Sequence, residues 1–468
     1  MFLCSLRFPL RLCVSAGNSI YEVKKHPMNG LLTDLYELTM AAGYFECGKA
    51  GEKATFELTI RRLPAHRNYV VVAGIPQVVD YLLSLSFTAE EINYLRGLPQ
   101  FAQVSPAFFD YLRDFRFTGD LFAVPEGTVL FAGEPALTIR APIIEAQIPE
   151  TYLLSTVTFQ TLIASKAARC ATAAAGRPVV EFGTRRAHTP EAGTLGARAA
   201  WIGGCAGTSN TLAGFRYGIP VMGTAAHSWV MSFPCEIDAF RKLQRVLGPA
   251  TVQLLDTYDT LEGARRAATL GGPMWGVRLD SGDFDALTRQ VRGILDEAGQ
   301  PGAKIMVSGD LDEYRIRDLV ASGAPIDSFG VGTELATSAD APHMGAIYKM
   351  VELEICGIKR FTAKFSLDKN SVPGAKQVFR DLARDVPRDV VARSGECGNG
   401  EALLRPIILG GRLIEPLPTL AQARDRAAQS IASLPPALRQ LEVAEPWPVI
   451  QSRELKALIG QTRSNLRV

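Results

Sequence analysis

The sequence predicts an α/β protein built around a barrel of parallel strands, preceded by an α+β region and followed by a C-terminal extension. Three observations carry that prediction. First, short apolar runs recur through the middle third, each followed at once by small and charged residues: "PVVEFGTRRAH" (178–188), "IPVMGTAAHS" (219–228), "VQLLDTY" (252–258), "WGVRLDSGD" (275–283), "KIMVSGD" (304–310) and "SFGVGTEL" (328–335). Second, helix-like stretches such as "SNTLAGFRYG", "LEGARRAATLG", "FDALTRQVRGILDEAG" and "EYRIRDLVASG" lie between them. A strand, a loop and a helix repeating every ~25–40 residues form the β/α unit of a parallel sheet. Third, every polar cluster in these runs falls at a strand's C-terminal end, the face on which barrels gather reactive groups. At least six such units favour closure. An open doubly wound sheet stays as the alternative on pattern alone.

Residues 1–27, "MFLCSLRFPLRLCVSAGNSIYEVKKHP", are basic, contain no acid before Glu22, and have apolar patches broken by Arg7, Pro9 and Arg11. A secretory signal needs a continuous apolar run of roughly 7–15 residues. This leader of doubtful status therefore reads as an upstream start with Met28 as the functional beginning, a transit peptide being the alternative. An N-terminal α+β domain is expected over 28–150. There "TDLYELTMAAGYF" places a capping Thr33 or Asp34 ahead of Leu35, Leu38, Ala42 and Phe45 at helical spacing, with Tyr36 beside that stripe. "ATFELTIRRLP" alternates and ends in Arg61 and Arg62, which suggests a strand, and residues 121–142 read as a small antiparallel sheet. The barrel is expected over 151–350 and a C-terminal region over 351–468. In that last region 364–381 reads as a basic loop broken by Pro and Gly, followed by a hairpin-like piece and an amphipathic helix.

Composition excludes several function classes. A chain of 468 residues, 47% hydrophobic and 21% charged, is expected to hold more than one core. Its net charge of +2 supplies no global field for nucleic acid, so an anionic substrate must be met by local groups. The eight cysteines form no C-x-x-C pair, which removes support for zinc, iron–sulfur and thioredoxin-type readings and suits a reducing cytoplasm. No uninterrupted apolar run approaches the ~20 residues that span a bilayer.

The predicted strand ends gather Arg185, Arg186 and Arg278 as cations and Asp256, Asp280, Asp283 and Asp310 as anions. "SGD" (308–310) and "GVGTE" (330–334) add exposed backbone N–H groups. Arginines that fork onto oxyanions beside a Gly-rich turn make a phosphate cradle, and carboxylates beside phosphates hold Mg²⁺ or ribose hydroxyls. The expected ligand is a small phosphorylated sugar. "GVG" is only part of a dinucleotide fingerprint, and no Walker loop is present. Each piece has a plainer reading too: Arg185 and Arg186 as a solvated pair, Asp256 as a helix cap. His227, in "GTAAHSW", is a structural residue, a general acid/base, or a nucleophile accepting a phosphoryl group. His188 in "RRAHTP" is its rival, and composition does not choose between them.

The motifs "TDLYELTMAAGYF", "EFGTRRAHTPEAG", "GTSNTLAGFRYGIPVMGTAAHSWV", "LLDTY", "RLDSGD", "FGVGTEL" and "LPTLAQAR" stand here in the order and spacing of another group of proteins. From about residue 30 onward the chain resembles the nicotinate phosphoribosyltransferases, type II phosphoribosyltransferases. The resemblance implies an irregular α/β barrel of parallel strands, an N-terminal sandwich-like domain and a C-terminal extension packed against it. It implies an ATP-coupled ligase and glycosyltransferase of NAD salvage, joining nicotinate to 5-phosphoribosyl 1-pyrophosphate (PRPP) with Mg²⁺, in a homodimer with shared active sites. On this resemblance His227 becomes the phosphohistidine, with Asp256 and Asp280 as the other catalytic residues and candidate Mg²⁺ ligands. Tyr36, reaching from the neighbouring subunit, with Phe182, Arg185, Ser209, Thr224 and Arg278, would surround nicotinate. Asp310, Gly330, Gly332 and Thr333 would hold PRPP, with Lys364, Lys369 and Lys376 on a loop over its pyrophosphate. Nicotinamide-specific relatives carry an acid where this chain has Ser209, and a carboxylate there would repel nicotinate. Quinolinate-specific relatives are shorter and lack the phosphorylated histidine.

Overall fold

In the computed structural model, which describes residues 28–366, 370–383 and 386–465, the first long element is helix α1 (Leu35–Glu46). The leader 1–27 and Lys369 lie outside the described residues. Asp34 stands at the extended N-cap position, and its carboxylate accepts the Thr151 hydroxyl at 2.8 Å. Leu38 and Ala42 of the expected stripe turn inward together with Ala41, Phe45 is half-buried, and Leu35 at the start of the stripe is exposed instead. Strand β1 (Lys53–Arg62) pairs antiparallel with β3 (Glu134–Pro142), which pairs with β2 (Asp120–Ala123). The 24-residue helix α2 (Glu150–Ala173) then carries the chain into the parallel sheet. No helix among the described residues is long and apolar enough to cross a membrane.

The middle of the chain follows the predicted repeat. Strands β4 (Val179–Glu181), β5 (Gly207–Thr208), β6 (Val252–Leu254), β7 (Gly276–Leu279), β8 (Lys304–Ser308) and β9 (Ser328–Val331) form one sheet in the order β6-β7-β8-β9-β4-β5. Every pairing in it is parallel. Helix α3 (Pro190–Ile202) follows β4, and α4 (His227–Met231) precedes β6. Helices α5 (Thr260–Thr269), α6 (Phe284–Glu297), α7 (Glu313–Ala321) and α8 (Thr333–Thr337) each follow one of the later strands. The run 219–222, expected to be a strand, is held by a single parallel bridge, Thr208 to Val221. Pro220 in that run has no N–H to give to a ladder. Among the described residues no ladder joins this run to β6, so hydrogen bonds do not close the sheet into the expected barrel on that side. The two-residue strand β5 was not anticipated because its "GT" sits in a polar stretch with no apolar run.

After the last β/α unit the chain returns to the first sheet. Strand β10 (Gly345–Ile355) pairs antiparallel with β1, Tyr348 opposite Leu58, and continues into β11 (Ile358–Phe361). It runs across the boundary drawn at 350. Strands β12 (Lys376–Asp381) and β13 (Arg388–Arg393) make an antiparallel pair in a separate sheet. The predicted loop 364–381 is therefore corrected at its C-terminal end. Strands β14 (Arg405–Leu409) and β15 (Arg412–Leu413) form the expected hairpin, which extends the first sheet to the order β11-β10-β1-β3-β2-β14-β15. Helix α9 (Leu420–Ala432) follows, opened by a capping box between Thr419 and Gln422. One hydrophobic core lies on the seven-stranded sheet and another lies around the parallel sheet, where Val277, Ile305, Val307, Phe329 and Val331 are fully buried.

Candidate active site at the ends of the parallel strands

Arg278 is the hub of the site, and the strand period places it there. Val277 and Leu279 point into the core, so Arg278 between them faces the opposite side of β7. Its guanidinium makes three bonds of 2.6 Å: Nε donates to Ser308 Oγ, Nη1 to Thr224 Oγ1 and Nη2 to Asp280 Oδ1. Ser308 in turn donates to Asp280 Oδ1 at 2.5 Å. The guanidinium carbon also lies 5.8 Å from the centre of the Phe182 ring, at the end of β4. Segments far apart in sequence thus meet on one side chain.

His227 opens α4 beside this hub. Its Nδ1 lies 3.2 Å from Thr257 Oγ1 and its Nε2 lies 3.9 Å from Asp280 Oδ2. The imidazole is 41% exposed, so a co-substrate can reach it. Burial opposes ionisation of Asp280, but the Ser308 hydrogen bond, the Arg278 guanidinium and the His227 imidazole outweigh it and hold the carboxyl below its ordinary range. Asp256 Oδ2 accepts the Asp280 N–H at 3.0 Å and the Ser281 hydroxyl at 2.6 Å. Its other oxygen, Oδ1, is buried without a hydrogen-bond partner. An orphaned carboxylate oxygen fits a hard cation or a sugar hydroxyl.

Two glycines allow the turns to come this close. Gly309 has φ +101°, and a Cβ there would stand 2.0 Å from Asp280 O. A Cβ on Gly330 would lie 2.6 Å from carbons of the Phe182 ring. Gly332 precedes α8 and Thr333 begins it. Asp310 is exposed at φ +45°, a conformation that aspartate tolerates better than most residues.

Other anticipated residues stand apart from the hub. Arg185 is exposed in the short turn Thr184–Arg186. His188, its neighbour, is exposed and makes none of the described bonds to the hub. Ser209 is exposed just beyond β5, its N–H bonded to Glu181 O at 2.9 Å. Tyr36 is 47% exposed on α1, with no described hydrogen bond or ring contact to the Arg278 group. Lys364 is exposed, and its backbone pairs with Ser371. Lys376 is not a loop cation. It is 6% exposed in β12, and its ammonium pairs with Glu57 at 2.6 Å. Sequence reasoning missed Thr257, Ser281 and Ser308, although all three sit inside the motifs already singled out; their hydroxyls were passed over in favour of the charges beside them. Among the described residues no group of three or more His, Cys, Asp or Glu is arranged to hold a metal ion. Magnesium, which commonly keeps several waters and binds through one or two carboxylates plus substrate phosphates, still fits the free oxygen of Asp256.

Comparison with known proteins places the chain in a family. Three family descriptions match: the nicotinate phosphoribosyltransferase (NAPRTase) N-terminal domain over residues 31–158, the NAPRTase family over 178–364, and the C-terminal domain over 390–459. The chain is 45% identical over 450 residues to nicotinate phosphoribosyltransferase pncB2 of Mycobacterium tuberculosis, covering 94% of this chain and 95% of that one. It is 44% identical over 359 residues to the Bacillus subtilis nicotinate phosphoribosyltransferase, covering 75% of this chain and 72% of that one. The crystal structure of human nicotinic acid phosphoribosyltransferase superposes with a TM-score of 0.80 at 28% identity, covering 92% of this chain and 100% of that one. The chain belongs to the nicotinate phosphoribosyltransferase family.

Proposed function

We propose that this protein joins nicotinate to PRPP, giving nicotinate mononucleotide and pyrophosphate for NAD biosynthesis in the cytoplasm. ATP hydrolysis is coupled to the reaction through phosphorylation of His227. The observation that carries the reading is the Arg278 hub, with His227 and two acids beside it. Breaking the bond from C1 to pyrophosphate builds positive charge on the ribose, so fixed carboxylates at Asp256 and Asp280 stabilise the transition state without a strong base. Mg²⁺, held by the free oxygen of Asp256 and by Asp280, would neutralise the leaving pyrophosphate. An unprotonated imidazole nitrogen of His227 attacks the γ-phosphorus of ATP, and ADP leaves with the bond electrons. Phe182 offers a ring face for the pyridine, Arg278 and Thr224 lie within reach of its carboxylate, and the neutral Ser209 tolerates that charge. Arg185 is assigned with them to nicotinate, Asp310 to the ribose of PRPP, and the 330–333 turn and Lys364 to its phosphates.

A homodimer completes the proposal. Leu32, Leu35, Tyr36 and Met40 leave an apolar face at α1, 37–52% exposed. Between β5 and β6 Phe215 is 81% exposed, and Val221 and Met231 are also open. Patches of this kind support burial against a second copy, with Tyr36 of one chain reaching the other's pyridine site.

Incubation with γ-labelled ATP should label the wild type and leave His227→Ala unlabelled, whereas label at His188 would overturn the assignment. In single turnover with PRPP, nicotinate should react and nicotinamide should not. A protein that binds PRPP but reacts with neither base would be a non-catalytic binding barrel instead.

A further inference from the structure

A cluster of buried charges lies outside the site described above, yet its two acids follow closely along the chain after the two turns at 308–310 and 330–333. Lys166 and Arg169 project from α2, Glu313 begins α7, Asp340 follows α8, and Arg67 comes from the loop after β1. Lys166 and Arg67 are 1% and 4% exposed and Glu313 is fully buried. The Lys166 ammonium reaches Glu313 Oε2 at 2.5 Å and Asp340 Oδ1 at 2.9 Å. Arg67 forks onto Asp340 with bonds of 2.6 and 3.0 Å, and its Nη1 lies 3.8 Å from Glu313 Oε1. Arg169 Nε donates to Glu313 Oε1 at 2.7 Å.

The two carboxylates matter for where they sit along the chain. Glu313 follows Asp310 after a single turn of chain, so holding it fixes the exit of the "SGD" turn. Asp340 stands just beyond α8, whose first residue, Thr333, closes the Gly330–Thr333 turn. Between α8 and Asp340 is Ser338, buried, with φ +44° and a hydroxyl that has no hydrogen-bond partner. A serine held in that conformation persists only where its surroundings over-determine it, and the ion pairs on Asp340 supply the restraint. Burying so many charges is a poor source of stability but a good way to impose one geometry.

We infer that Lys166, with Arg67, is a positioning residue for the sugar-phosphate site, because one buried cation pair bridges Glu313 and Asp340 and so fixes the 308–310 and 330–333 turns relative to each other. This rests on the function proposed above. Arg67 comes from the region of the first sheet, so the same link ties that domain to the parallel-strand site.

The test compares Lys166→Met, Lys166→Arg and Asp340→Asn with the full-length wild type. The KM for PRPP should rise by about tenfold or more in Lys166→Met, as misplaced binding groups predict. The KM for nicotinate and kcat should stay within about twofold, and Lys166→Arg should restore most of the loss. Asp340→Asn, a milder change at a partly exposed carboxylate, should shift the same constant in the same direction and decides the matter if Lys166→Met does not fold. Folded variants with unchanged PRPP KM, or with equal rises in both KM values, would overturn the inference. Calorimetric titration with ribose 5-phosphate separates the two proposals. If the wild type transfers nothing but binds this probe, and Lys166→Met binds it about tenfold more weakly, the function fails and the positioning role stands; equal binding removes the positioning role.

Discussion

At the scale of single residues, the site depends on one forked cation. Lysine in place of Arg278 keeps the charge but cannot hold Thr224, Ser308 and Asp280 at once. Arg278→Lys is therefore expected to lower kcat/KM on the order of 100-fold, while thermal unfolding moves little. Steady-state kinetics and a melting curve check both halves. Ser209→Asp addresses selectivity: a carboxylate there disfavours nicotinate and can accept the amide N–H₂ of nicotinamide, so the preference should move toward the amide. Competition between the two bases in one reaction reads that shift directly. The hub was only half legible in the sequence. Charges at strand ends announce themselves, so Arg278, Asp280 and Asp256 were found. Ser308 and Thr257 are as close to the chemistry, but hydroxyl residues are common in turns and nothing in their spacing marks them. Lys376 misled for the opposite reason: a basic residue after Pro and Gly looks solvated, and only the pairing of β12 reveals its burial against Glu57.

At the scale of elements, helix α1 carries a titration of its own. Glu37 is fully buried on that helix, and burial, only partly offset by the hydrogen bond from Gln147, pushes its carboxyl up to about 7 from an ordinary value of 4.5. A carboxyl whose folded pKa lies above its unfolded one contributes stability that is complete below the unfolded value and disappears as pH rises through the folded value. Between pH 5 and 8 the wild type should lose on the order of 1–3 kcal/mol relative to Glu37→Gln. Urea denaturation of the two proteins at several pH values measures that gap. The start of α9 offers a simpler check, since Thr419→Ala removes one half of a capping box and should cost about 1 kcal/mol. Element type was easy to read where periodicity was long, as in α6 and β1. It failed at β5 and at 219–222, where two or three residues decide the outcome and tertiary contacts overrule pattern.

At the scale of the molecule, the chain leaves its first sheet, builds the parallel one, and returns to finish the first with β10, β11, β14 and β15. Local patterns cannot show that return, because pairing β1 with β10 spans the whole parallel sheet. If sites are shared between two copies, a mixture of Tyr36→Ala and His227→Ala, each inactive alone, should recover roughly a quarter of wild-type activity after subunit exchange. Zero recovery would mean that each chain works unaided. The single bridge at Val221 has one more effect. Below it, 223–226 makes no described backbone hydrogen bond to the wall through its N–H groups, and Met222 is the last residue that does, donating to Thr208 O at 3.0 Å. The segment that leads to His227 is instead moored by a side chain, Arg278 Nη1 reaching Thr224 Oγ1 at 2.6 Å and Ala225 O at 3.4 Å. If His227 takes a phosphoryl group as proposed, the added charge would lie next to Asp280, and the repulsion would fall on those side-chain bonds while the backbone ladders of β7, β8 and β9 keep their register.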